Sequence, residues 1–66
     1  MTVAKIVEIS SESTKSFEDA IRTGITRAQE TLKNVKGAWI GDQKVVIEDG
    51  KPVLFRVDMK VSFVLM

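Results

Sequence analysis

The side chains that most often perform catalysis are missing from this sequence of 66 residues. It contains no His, no Cys and no Tyr, so acid–base or nucleophilic chemistry would fall to Ser, Asp, Glu or Lys. These groups become reactive only beside a base or in a perturbed environment. The composition therefore makes an enzyme the least favoured class. Without thiols or imidazoles the chain also has no disulfide and no ligands for an ordinary zinc site.

The residues that could bind a ligand lie in the second half of the chain. Trp39 is the only Trp, and an indole either stacks on a planar ligand or fills a subunit contact. Arg56 has a planar fork of donors that suits a carbonyl or a phosphate. Its other interpretation is an ordinary strand residue paired with an acid, either Asp58 or Asp42.

Acidic residues offer a second, weaker kind of site. Glu48, Asp49 and Glu12 could bind a hard cation where subunits meet on a symmetry axis. Solvation of a turn explains them better, and the EF-hand spacing is absent. The sequence therefore predicts no metal-binding residue.

Two segments in the first half of the chain predict a strand and a helix. Residues 3–9 are rich in β-branched side chains and end in the polar cluster Ser10-Ser11-Glu12-Ser13, which predicts a first strand. Apolar residues then recur at spacings of three and four through residues 14–34. This spacing predicts an amphipathic helix about 30 Å long, with Ser13 or Ser16 as its N-cap. Gly24 inside this helix indicates close packing against a sheet.

The second half predicts a hairpin of two strands. Residues 38–40 and 44–47 are predicted to form the second strand of the chain, with a bulge or bend at Gly41. Asp49-Gly50 is a turn signal between this strand and the third. Residues 53–65 alternate clearly between apolar and mixed positions. We expect the apolar set to be buried against the helix: Val53, Phe55, Val57, Met59, Val61, Phe63 and Leu65.

The order βαββ predicts a single α+β domain over residues 1–66, with a three-stranded antiparallel sheet packed on one long helix. One helix covers only one face of a sheet. The open face is expected to carry a mixture of apolar and charged side chains: Trp39, Gly41, Gln43, Val45, Leu54, Arg56, Asp58 and Lys60. Such a mixture suits a subunit contact. A chain this short, without disulfides or metals, usually needs a partner subunit for stability.

Charge and hydropathy exclude several partners. Ten basic and nine acidic residues leave a net charge of +1. This balance does not indicate a basic surface that would bind nucleic acid or an anionic membrane. No apolar run has the length of a membrane span, and the first residues lack the pattern of a signal peptide. We therefore expect a cytoplasmic location.

The order, length and local strings of the sequence resemble the dodecins, a family of small flavin-binding proteins that assemble as hollow dodecamers. The strings that carry the resemblance cover nearly the whole chain: Lys5-Ile6-Val7-Glu8-Ile9, Ser13-x-x-Ser16-Phe17-x-x-Ala20-Ile21, Arg27-Ala28, Thr31-Leu32-Lys33-Asn34-Val35, and Phe55-Arg56-Val57-Asp58-Met59-Lys60-Val61-Ser62-Phe63. Each string alone is only an amphipathic element. Their order and spacing within 66 residues make the resemblance specific.

The resemblance implies a dodecamer in which flavin rings stack in pairs beside a Trp from each of two protomers. The position matching the family's Trp is Gly37, and the only Trp of this chain is Trp39, two residues further on. A Gln of the family that hydrogen-bonds the flavin is matched by Arg56, which has donors and no acceptor. Both departures fall on the binding site itself.

The sequence thus supports two hypotheses. The first is a non-enzymatic protein that binds and stores a flavin, riboflavin or FMN, with Trp39, Arg56, Gly37, Lys44 and Gln43 as binding residues. Lys44 would gain a partner if the ligand carried a phosphate, as FMN and coenzyme A do. The alternative is a structural dodecameric shell that does not bind flavin and takes another small anion or a metal ion.

Overall fold

The computed structural model describes residues 2–65 and has the predicted order of elements. Strand β1 spans Val3–Ser13, helix α1 spans Phe17–Thr31, β2 spans Val35–Glu48 and β3 spans Lys51–Leu65. The strands form one antiparallel sheet in the order β1-β3-β2. The helix lies across β1 and β3 on one face. None of the helical segments in this range is long and apolar enough to cross a membrane.

The core lies between α1 and alternate residues of β3. Val57, Met59 and Val61 are buried against Ala20 of the helix, as the alternation of β3 predicts. Burial of the two end residues of the apolar set was predicted wrongly, because Val53 is 37% exposed and Leu65 is 49% exposed. The 15-residue helix is about 22 Å long, whereas the 15-residue strand β3 spans about 50 Å. Both ends of the sheet therefore extend beyond the helix.

The helix begins at the second predicted cap and ends earlier than predicted. The Ser16 hydroxyl accepts a hydrogen bond from the backbone N–H of Asp19 at 2.9 Å. The Ser13 hydroxyl accepts from the backbone N–H of Lys15 at 2.9 Å, in the turn before the helix, and donates to the Asp19 carboxylate at 2.7 Å. The prediction that the helix continues to residue 34 was wrong, because Leu32 is already extended and Val35 pairs with Phe63 in the sheet. Strand pairing therefore overrides the helical spacing of the apolar residues.

Strand β1 is longer than the sequence predicts. The polar cluster at residues 10–13 does not break the strand, since the ladder with β3 continues to Ser13 opposite Phe55. Ser11 is buried beneath the helix. A Cβ atom built on Gly24 would lie 2.9 Å from the Cβ of Ser11, so the close packing expected at Gly24 is confirmed. Small residues on both sides let the helix approach the strand.

The hairpin between β2 and β3 turns at Asp49 and Gly50. Both residues have positive φ, 51° and 75°, which is typical of the two-residue type I′ turn. Glu48 pairs with Lys51 at the last rung. The turn signal in the sequence is therefore confirmed, and it fixes β2 beside β3.

Candidate functional site

A bulge in β2 decides which of its side chains face away from the helix. Ile40 pairs with Met59 and Gln43 pairs with Val57, so Gly41 and Asp42 together oppose Asp58. A Cβ atom at Gly41 would lie 3.2 Å from the carbonyl oxygen of Asp58. Because the backbones approach so closely, glycine suits this position. The bulge expected near Gly41 is confirmed.

The bulge reverses the alternation of the residues that follow it. Opposite residues in an antiparallel pair share a face. Gln43, which opposes Val57, therefore shares the helix side of the sheet, as does Val45 opposite Phe55. Their predicted place on the open face was wrong, because one extra residue in β2 shifts the alternation. Lys44 takes that place, opposite Arg56.

Trp39 lies on the open face, as predicted, beside a hollow. It opposes Lys60 in the ladder, and 58% of its surface is exposed. The hollow has a volume of about 590 Å³ and is lined by residues of all three strands: Ile6, Glu8, Trp39, Asp42, Asp58 and Lys60. It combines an indole and an aliphatic side chain with charged groups. A planar apolar ligand with polar substituents fits this chemistry.

The charges around the hollow are predominantly negative. Three carboxylates, those of Glu8, Asp42 and Asp58, face one ammonium group, that of Lys60. Within residues 2–65 none of these four groups forms an ion pair. The acidic side chains of the described part of the chain also make no cluster suited to a metal ion.

Arg56 has a partner that the sequence did not indicate. Its Nε donates to Oε2 of Glu12 on the neighbouring strand β1, and its Nη2 forms an ion pair with the same oxygen. The predicted partners, Asp58 and Asp42, were therefore wrong. The side chains of this pair are about 40% exposed, so water still reaches both. Lys44 lies across β3 from Glu12, on the far side of Arg56.

Gly37 lies on the same face as Trp39, as the spacing of two residues predicts. It opposes Ser62, whose hydroxyl donates to the Gly37 carbonyl at 3.3 Å. A Cβ atom at Gly37 would meet the Ser62 Oγ at 3.6 Å, an ordinary contact. The structure thus brings Gly37, Trp39, Lys44 and Arg56 to one face and leaves Gln43 on the other. Their contacts with a ligand stay predictions.

Of the residues that line the hollow, Trp39 alone was predicted from the sequence to bind a ligand; Asp58 and Lys60 were placed on the open face without a binding role. Ile6 and Glu8 come from β1, and Asp42 comes from the bulge. A signal for the first two was present, since even-numbered residues of β1 alternate away from the helix. No signal in the sequence indicated that β1 lies beside β3.

Comparisons with known proteins place the whole chain in one group. The family model described as Dodecin matches residues 3–66. The dodecin from Streptomyces davaonensis is 31% identical, with a TM-score of 0.93 over 98% of this chain and 96% of that protein. A mutant of the Thermus thermophilus dodecin is 26% identical, with a TM-score of 0.94 over 100% of this chain and 98% of that protein.

One curated relative has calcium in its name. It is the calcium dodecin of Mycobacterium tuberculosis, which is 25% identical over 63 residues, covering 96% of this chain and 89% of that protein. The family model and the relatives agree in covering nearly the full length of the βαββ domain. The chain therefore belongs to the dodecin family.

Proposed function

We propose that this protein is a homo-dodecamer that binds a flavin in the hollow beside Trp39 and stores it without transforming it. The observation that carries the proposal is the indole itself, 58% exposed at the rim of a hollow of about 590 Å³ on the open sheet face. A large exposed aromatic side chain leaves apolar surface in contact with water, and a ligand or partner that covers this surface is stabilised by its burial. An isoalloxazine ring is planar and apolar enough to do so.

Assembly and binding use the same face in this proposal. The open face of the sheet has no helix over it, and Ile6 and Trp39 are exposed there. A second copy meeting this face would close the hollow from above. Stacking between indoles would then remove the ring from water, which provides affinity and quenches the excited state of the flavin.

Storage rather than catalysis follows from the groups that the hollow offers. The chain has no His, Cys or Tyr, and the hollow contains carboxylates, an ammonium group and an indole. We infer that these groups hold and orient a ligand. Arg56 and Lys44 are proposed as further contacts along the same face, and Gly37 as part of the wall next to Trp39.

Fluorescence titration tests the proposal directly. Riboflavin and FMN are added separately to the purified oligomer while flavin fluorescence is followed. We expect both probes to show saturable quenching of flavin fluorescence. A flavin solution without protein is the reference. Absence of quenching at protein concentrations of about 100 μM would contradict flavin storage.

A second candidate function, a shell that does not bind flavin, is favoured by one observation. Gly37 offers no side chain where the family has its stacking Trp, although a Cβ atom there would make only an ordinary contact with Ser62 Oγ at 3.6 Å. If the natural chain binds no flavin but Gly37→Trp combined with Arg56→Gln gains binding, the shell is the better description. Arg56→Gln alone is the matched control.

A further inference from the structure

The charges lining the hollow distinguish one class of flavin from another. Glu8, Asp42 and Asp58 contribute three negative charges and Lys60 one positive charge. A phosphorylated ligand brings close to two further negative charges at neutral pH. Like charges at short range repel, and the repulsion is strongest where water is partly excluded. The hollow is therefore unsuited to a phosphate.

The basic residues on the same face do not compensate for this charge. The guanidinium of Arg56 is already held by Glu12. Lys44 opposes Arg56, on the second rung beyond the bulge. Lys60, which opposes Trp39, is the basic residue that lines the hollow itself, and it lies there among three carboxylates. The net charge of the hollow is thus negative.

The same carboxylates suit an uncharged polyol chain. Ionised carboxylates are acceptors only, with several lone-pair sites each. The hydroxyl groups of a sugar alcohol can donate to them, and hydrogen bonds to a charged acceptor are stronger than those between neutral groups. A ring that stacks on Trp39 can therefore place its hydroxylated tail against Asp42 and Asp58.

We propose that Asp42 and Asp58, with Glu8, make the hollow selective for an uncharged, hydroxylated aromatic ligand such as riboflavin over its phosphate ester, FMN. This inference rests on the proposed function, since it assigns the ligand class of that same site. In a closed symmetric assembly each copy contributes the same three carboxylates to its own hollow.

The test compares dissociation constants for riboflavin and FMN at neutral pH in about 50 mM and about 500 mM NaCl. At low salt we expect riboflavin to bind at least about threefold more tightly than FMN. Salt screens charges, so FMN affinity should rise with salt while riboflavin affinity stays nearly constant. FMN affinity that is equal to that of riboflavin at low salt, or that falls with salt, would overturn the inference.

Variants identify the residues responsible. Asp42→Asn and Asp58→Asn should each improve FMN binding about two- to threefold without improving riboflavin binding. Glu48→Gln is the matched control, because it removes an exposed carboxylate at the hairpin end of β2, and it should leave the ratio unchanged. A ratio unaffected by both Asn variants would overturn the assignment to these residues. If neither flavin binds the wild type, the proposed function fails as well, whereas equal binding defeats only the selectivity.

Discussion

At the scale of single residues, Trp39 and Arg56 differ in the contacts that they already make within the chain. The indole of Trp39 is largely exposed on the sheet, whereas the guanidinium of Arg56 is hydrogen-bonded and ion-paired to Glu12. An unsatisfied apolar surface gains most from a ligand. A paired charge gains less, because binding must first compete with the existing partner.

We expect Trp39→Ala to weaken riboflavin binding by about 1–3 kcal/mol, the range found for stacking of a base on an aromatic side chain. Titration by flavin fluorescence measures this change. Ile47→Ala is a control, since Ile47 is also exposed but lies at the hairpin end of β2. Light scattering should show the same oligomer for the wild type and for both variants. Wild-type affinity in Trp39→Ala would mean that the ring does not stack there.

Arg56→Gln is expected to change stability little and ligand preference measurably. The pair with Glu12 is about 40% exposed, and such pairs contribute about 1 kcal/mol or less. The amide adds an acceptor and removes a positive charge, so riboflavin binding should be kept or improved and FMN binding weakened. Chemical denaturation and the two titrations measure these effects. A loss of several kcal/mol in stability would show that the ion pair is structural.

At the scale of elements, the contact between α1 and β1 depends on two small residues. Gly24 of the helix lies over Ser11 of the strand, and a methyl group at Gly24 would come within 2.9 Å of the Ser11 Cβ. That atom is attached directly to the strand backbone and cannot move aside. The Met59 Cε, at 3.1 Å, belongs to a flexible side chain and can move aside. The strand, rather than the core methionine, therefore limits the approach of the helix.

Gly24→Ala should lower the free energy of unfolding, although Ala favours a helix over Gly by about 1 kcal/mol. The clash with Ser11 forces the helix away from the sheet, which costs about 1–3 kcal/mol in similar overpacked sites. Thermal unfolding measures the change. Thr26→Ala, at an exposed position of the same helix, is the control and should be neutral or stabilising. A more stable Gly24→Ala protein would contradict the packing that we describe.

At the scale of the whole molecule, the shape of one chain favours association with further copies. The protomer measures 51 × 19 × 13 Å, which is too thin to enclose a large core. Among the described residues, several large apolar side chains are exposed: Val3, Ile6, Trp39, Ile40, Ile47, Val53 and Leu65. Membership in the dodecin family implies a homo-oligomer. Identical apolar patches on every copy either close into a point group or grow without limit.

We therefore expect one large species in solution and no stable monomer. Light scattering at micromolar concentration should give a mass near twelve times the 7.3 kDa of one chain. Dilution should not release folded monomer, because so small a core rarely stabilises a single chain. A folded species with the mass of one chain would refute this prediction.

The sequence alone determined the features that depend on neighbours within a few residues. The alternation in β3 identified its buried face, the polar residues before the helix included the cap at Ser16, and Asp49-Gly50 marked the hairpin. The resemblance in the order of short strings also identified the family. Local sterics and hydrogen bonding suffice for such features, because the interacting groups are close along the chain.

Only the tertiary structure decided the features that depend on distant residues. Helix α1 ends at Thr31 because Val35 must pair with Phe63, and the bulge places Lys44 rather than Gln43 beside Arg56. Arg56 pairs with Glu12, 44 residues away, because β3 lies between the other two strands. Each of these depends on register and strand order. Alternating patterns repeat every two residues, so they cannot specify which rung faces which until the strands are paired.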